Sequence, residues 1–195
     1  MREIFRNQGQ EYDYREFVKL INEKHGIFEP IILFDAVNSL DDLKKIIKEE
    51  LIEFFSADLV EFIKEDQKSP FDSLTKLAIC EKRTFCLNGR ELKSIFVTAP
   101  RSAGTTSIFE VSPKQFNITP KNLPSEYQNI LVVPFSYGKE KKITKDGATE
   151  VAKYAALVIA HASPDKIFDP PVDIPIANRI AVEMGIVMHN KKFSF

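Results

Sequence analysis

The stretch NSLDDLKKIIKEELIEFFSADLVEFIKED, residues 38–66, carries two hydrophobic periods in succession, and the change from one to the other decides the fold class. Ser39 is an N-cap residue whose hydroxyl can accept a free backbone N–H of a first turn, and Asp41 and Asp42 set negative charge at the positive end of the helix dipole. From there Leu43, Ile46, Ile47, Leu51, Phe54 and Phe55 recur at helical spacing, while Lys44, Lys45, Lys48, Glu49 and Glu53 occupy the opposite side. After Ser56 the period becomes two. Leu59, Glu61 and Ile63 alternate with Val60, Phe62 and Lys64, the pattern of a strand covered mainly on one side. An amphipathic helix therefore runs straight into a sheet strand, which predicts an α+β domain.

Working outward, the 195 residues with 44% apolar content suit one domain with a sizeable core. The 27 basic and 28 acidic residues leave a formal charge of −1, so no long-range field draws nucleic acid or an anionic membrane surface, and neither is expected as a direct partner. No apolar run reaches the roughly 18–20 residues of a transmembrane helix, and the polar start MREIFRNQGQEYDYRE is unlike a signal peptide. The expectation is a soluble, cytoplasmic protein. Cys80 and Cys86 form neither a disulfide framework nor a CxxC pair, and His25, His161 and His189 lack metal-ligand spacing, so no metal site is expected.

Ahead of residue 38, Tyr14, Phe17, Val18 and Ile21 place a helix over residues 12–24, and Pro30 opens a short apolar helix through Val37. Residues 1–37 thus read as an N-terminal helical segment for packing or dimerisation, and 38–195 as the domain proper. Beyond the opening junction, residues 74–82 (LTKLAICEK) read as a second strand. Further strands follow at 94–98, 106–111, 130–135 and 155–162, paired antiparallel because full-length helices do not intervene. Residues 139–153 (KEKKITKDGATEVAK) read as a long charged connection holding a helical turn or two. In the closing helix Asp173 is the expected cap and Pro175 sits in the first turn. Ile176, Ile180, Met184 and Val187 line a broad apolar face, wide enough for both the sheet and a partner helix.

The order of these pieces resembles a GAF domain from about Phe34 to Asn190. The residues that carry the resemblance are the helix-to-strand opening, the ILVVPF strand with Val133-Pro134-Phe135, the pairing strand with Leu157-Val158-Ile159, and the turn from Phe168-Asp169 through Asp173 into the last helix. The resemblance implies a six-stranded antiparallel sheet with the N- and C-terminal helices packed on one face, and loops and short helices over the other. It also implies a regulatory module that binds a small molecule and dimerises through its terminal helices. The Asn-Lys of cyclic-nucleotide-binding members has its only counterpart in Asn190-Lys191 of the closing helix. Asp173-Ile174-Pro175 matches the bilin-binding motif only in letters, since no cysteine follows it, and seven glycines without GxGxxG or GxxxxGK offer no phosphate cradle. No cofactor is assigned.

Candidate ligand-binding residues come from the middle of the chain. Phe85, Cys86, Phe96, Phe109, Phe116 and Tyr137 are placed to line an apolar cavity. Arg101 and Thr105 in RSAGTT offer a guanidinium and a hydroxyl to a carboxylate or phosphate, and His161 brings a titratable ring into an apolar strand. No Ser/His/Asp or paired-carboxylate arrangement emerges from the spacing, so no catalytic residue is assigned. The leading expectation is a sensory or regulatory domain acting as a homodimer on an unidentified small molecule. The alternatives are a ligand-free dimerisation or protein-interaction module, and a redox enzyme using Cys80 or Cys86.

Overall fold

In the computed structural model, residues 5–7, 10–12, 37–100, 107–144 and 147–193 are described. Two short strands, β1 (Phe5–Asn7) and β2 (Gln10–Tyr12), pair antiparallel as a sheet of their own. The rest of the expected helix over residues 12–24 lies outside the described residues, and so does the short helix after Pro30 up to residue 36.

Helix α1 (Leu40–Phe55) begins where the sequence places it. The Ser39 Oγ accepts the Asp42 N–H at 3.1 Å, and Leu43, Ile47, Leu51, Phe54 and Phe55 are buried. It ends at Ser56, which adopts the left-handed conformation (φ 52°) without being glycine. Strand β3 (Leu59–Lys64) follows at once. Its alternation is as expected, but both faces are covered: Val60 packs into one core and Ile63 into another.

The second core is built by a helix in place of the expected second strand. Helix α2 (Asp72–Glu81) takes up the LTKLAICE residues and, with the preceding Phe71, buries Leu74, Thr75, Ala78 and Ile79. These positions follow one another at i, i+3, i+4, i+7 and i+8 from Phe71, which is a single helical face. A strand reading that starts at Leu74 leaves out Phe71, the first position of that face, and the remainder is short enough to pass for a strand.

Strands β4 (Phe85–Asn88), β5 (Ile95–Thr98), β6 (Ile108–Val111), β7 (Asn129–Thr144) and β8 (Gly147–His161) complete the sheet. Single 3₁₀ turns at Pro113–Phe116 and Pro120–Asn122 lie between β6 and β7. The six strands run antiparallel in the order β3-β8-β7-β4-β5-β6. Helix α3 (Pro170–Asn190) closes the chain. The architecture is α+β, with a six-stranded antiparallel sheet and three helices among the described residues.

Strand alternation divides the interior in two. Cys86, Leu131, Val133, Phe135, Leu157 and Ile159 meet buried residues of α1 and α3, whereas Phe85, Leu87, Ile130, Val132, Val158 and Ala160 meet α2. Among the described residues of 139–153 there is no helical turn of the kind expected. Strands β7 and β8 instead run on as a two-stranded ribbon past Phe135 and Ala155, paired as far as Thr144 and Gly147. Cross-strand hydrogen bonds satisfy that backbone without a helix, and Ile143, Thr149 and Val151 are β-formers. The ribbon leaves the sheet at a register shift between Ser136 and Gly138. Above that bend α3 crosses β7 closely, for a Cβ on Gly185 would collide with the carbonyl oxygen of Ser136.

Candidate functional site

Two features stand out on the two sides of the sheet. On the α2 side, a cleft of about 160 Å³ opens between the helix and the segment that follows β6. Leu74 and Leu77 come from α2. Phe116, Asn117, Ile118 and Leu123 come from the two 3₁₀ turns and their surroundings, and Ser73 lies at the rim. Local sequence builds this wall. Pro113 and Pro120 each start a 3₁₀ turn, and Asn117 takes the left-handed conformation (φ 54°) that ends the first. The wall is anchored to the sheet, because Phe116 meets the buried Phe85 of β4 edge to face, with ring centroids 5.1 Å apart and an interplanar angle of 88°. With five apolar side chains against one hydroxyl and one amide, the cleft suits a small apolar body with a polar end.

On the α1 and α3 side, strand register lines up Asn88, Asn129 and His161 in one row across β4, β7 and β8. Asn88 holds both backbone groups of Phe168: its Nδ2 donates to the carbonyl at 2.8 Å and its Oδ1 accepts the N–H at 3.0 Å. Asn129, fully buried, accepts the Gly89 N–H at 2.8 Å and donates to the Ser163 carbonyl at 2.9 Å. The His161 ring lies against Phe168, centroids 4.7 Å apart. Together they tie the segment between β8 and α3 to the sheet.

Asp173 has a different place from the expected cap. The helix starts a turn earlier, at Pro170, and the buried Asp173 carboxylate reaches back to accept the Asp169 N–H at 2.7 Å. Cys86 lies close enough to feel that carboxylate. Burial first, and the Asp173 charge second, push its thiol pKa far up, so the sulfur holds its proton and is a poor nucleophile. Cys80 is exposed on α2. Outside this row, the Asp58 carboxylate is held below the usual carboxylate range, chiefly by the Ala162 N–H it accepts at 2.8 Å, with Lys166 at 3.4 Å adding to the effect.

The residues singled out in sequence are distributed by the sheet rather than gathered. Phe85 is buried on the α2 side, and its strand partner in register, Val97, puts Phe109 of β6 on that side too, half exposed at 49%. Cys86, Phe96, Tyr137 and His161 belong to the opposite side, where Phe96 and Tyr137 are partly buried against the core. Arg101 and Thr105 lie outside the described residues. Of the aromatic candidates, Phe116 is the one that lines the cleft. Leu74, Leu77, Ile118 and Leu123 are not among the sequence candidates, the first two because a strand reading gives them no common face. The helical i, i+3 spacing of Leu74 and Leu77 was the signal that would have found them.

Comparison with known proteins adds no relative: no family model, curated protein or solved structure matches the chain. Among the described residues no helix is long and apolar enough to cross a membrane, and no group of His, Cys, Asp and Glu is arranged to hold a metal ion.

Proposed function

We propose that this chain is a GAF-like regulatory module that takes a small, mainly apolar molecule into the α2 cleft and passes its occupancy to α1 and α3. The observation that carries the reading is the cleft itself, lined by Leu74, Leu77, Phe116, Ile118 and Leu123 with Ser73 and Asn117 as polar groups. Its volume of about 160 Å³ compares with the roughly 150 Å³ apolar cavity known to bind benzene, so the ligand has the bulk of one small ring or a short branched chain. The antiparallel six-stranded sheet agrees with the family that the sequence resembles. Fold likeness by itself names no ligand.

A physical route runs from the cleft to α3. Phe116 in the cleft wall packs on Phe85, and the neighbouring Thr84 Oγ1 is hydrogen-bonded to the Asn178 side chain of α3 at 2.6 Å. A ligand that displaces Phe116 would lean on β4 and alter that contact. It shifts the helices only as far as its affinity differs between the two arrangements.

The test is a thermal-shift screen of small aromatic and branched aliphatic acids, alcohols and amines, run on the wild type and on Leu77→Trp, whose larger ring fills the cleft. A ligand at 100 times its Kd raises stability by about 2.7 kcal/mol, enough for a clear shift. A compound that stabilises the wild type and leaves Leu77→Trp unmoved supports the module. If every compound leaves the wild type unmoved, the ligand-free interaction module takes its place.

A further inference from the structure

We propose that the α2 cleft is built for an uncharged primary carboxamide carried on a small apolar body, an assignment of ligand class that rests on reading the cleft as a binding site.

The lining is neutral throughout. Leu74 and Leu77 line the cleft from α2, Phe116, Ile118 and Leu123 line it from the segment after β6, and Ser73 and Asn117 supply its polar side chains. No lining residue carries a charge. A carboxylate or ammonium drawn into such a lining loses water and finds no opposite charge in return. A neutral polar group loses only hydrogen bonds that a hydroxyl and an amide can replace.

The charges nearest in sequence do not alter that balance. Asp72 opens α2, so the positive end of the helix dipole already has a carboxylate beside it, one residue before Ser73. Lys76 is paired with that carboxylate at 2.7 Å. An anion at Ser73 meets Asp72 and a cation meets Lys76, so the pair favours neither sign. Lys114 and Lys121 are exposed and lie outside the lining.

Hydrogen-bonding capacity then selects among neutral groups. A serine hydroxyl and an asparagine carboxamide each both donate and accept. Neither the Ser73 hydroxyl nor the Asn117 carboxamide has a hydrogen-bond partner among the described residues. A ligand carboxamide answers both, because its amino group and its carbonyl oxygen are separate atoms, whereas a ketone only accepts. The cleft volume of about 160 Å³ takes one six-membered ring, which leaves the carboxamide at the rim where Ser73 lies.

The experiment titrates the full chain with four planar compounds of one shape, followed by ligand-observed NMR. Benzamide donates and accepts, acetophenone only accepts, and benzoate and benzamidinium carry opposite charges. Benzamide is expected to bind tightest, with both ions at least about tenfold weaker. Its lead over acetophenone is expected to be about three- to tenfold, and Ser73→Ala or Asn117→Gly is expected to remove most of it. Both substitutions spare the fold: alanine is a good helix former, and glycine adopts the left-handed backbone of Asn117 (φ 54°) readily. Thermal melts check this. Leu77→Trp is expected to abolish binding of all four compounds. Either ion binding as tightly as benzamide, or a lead over acetophenone that survives both substitutions, overturns the carboxamide assignment and leaves the cleft as a binding site. Benzamide that binds Leu77→Trp as tightly as the wild type overturns it by placing the site elsewhere. Benzamide that does not bind the wild type also overturns it, and the cleft reading falls as well only if the wider thermal-shift screen is silent.

Discussion

The carboxylate of Asp58 joins two parts of the chain that are far apart in sequence. It sits between α1 and β3, and accepts the Ala162 N–H just after β8 while Lys166 approaches its other oxygen. Its pKa is depressed in the folded state. The stability it contributes is therefore complete above the unfolded value of about 3.9 and is lost as pH falls through the lower folded value. Asp58→Asn is expected to cost about 1 kcal/mol near neutral pH, a charged hydrogen bond discounted for its exposure, and much less near pH 2. Urea midpoints of both proteins at the two pH values check this, and a gap that does not narrow at low pH removes the ionic explanation. The two cysteines offer a second residue-scale test. Cys80 is exposed and Cys86 buried with a raised pKa, so an aromatic disulfide reagent should titrate one thiol in the native protein and two after unfolding. Fast reaction of both in the native state would reopen a redox role for Cys86.

Elements show why some of this architecture can be read from residues and some cannot. Helix α1 and β3 are legible because each period is complete and the Ser39 cap marks the start. Helix α2 is hidden by its ends. Phe71 is its N-cap residue with no side-chain cap bond, and Lys82, not glycine, takes the left-handed position that stops it. The ribbon is hidden by its charge, since KEKK resembles a solvated loop, although Ile143, Thr149 and Val151 are β-formers and Thr144 pairs with Gly147 across only two residues. No residue pattern reports the approach of α3 to β7, because only the folded molecule brings Gly185 over the Ser136 carbonyl. A side chain there must push the helix off a backbone oxygen that cannot rotate away. Gly185→Ala is thus expected to lose about 2 kcal/mol by overpacking, although alanine is the better helix former. A lower urea midpoint at unchanged m-value is the expected result, and a rise in stability would mean that α3 lies farther from the ribbon root.

At the scale of the whole molecule the sheet is a wall shared by two cores. Within β7, Ile130 and Val132 belong to the α2 side while Leu131 and Val133 belong to the side of α1 and α3, and β8 alternates in the same way. This also explains why candidate site residues close in sequence did not form one pocket: Phe85 and Cys86 are neighbours in the chain and occupy opposite cores. Neither core can open without exposing strands that the other needs, so the two should melt as one unit. Leu51→Ala on α1 and Leu74→Ala on α2 each remove a buried branched side chain and are expected to cost about 2–5 kcal/mol. Three of the five tyrosines report the two sides separately, Tyr127 and Tyr154 against the α2 core and Tyr137 against the other, with Tyr12 and Tyr14 replaced by phenylalanine throughout. Keeping one reporter at a time by Tyr→Phe substitution, near-UV and far-UV dichroism should trace a single transition in either leucine variant. If Leu74→Ala melts the signal of Tyr127 and Tyr154 ahead of that of Tyr137, the α2 layer opens on its own, and a ligand in its cleft would act by closing a layer rather than by shifting the sheet.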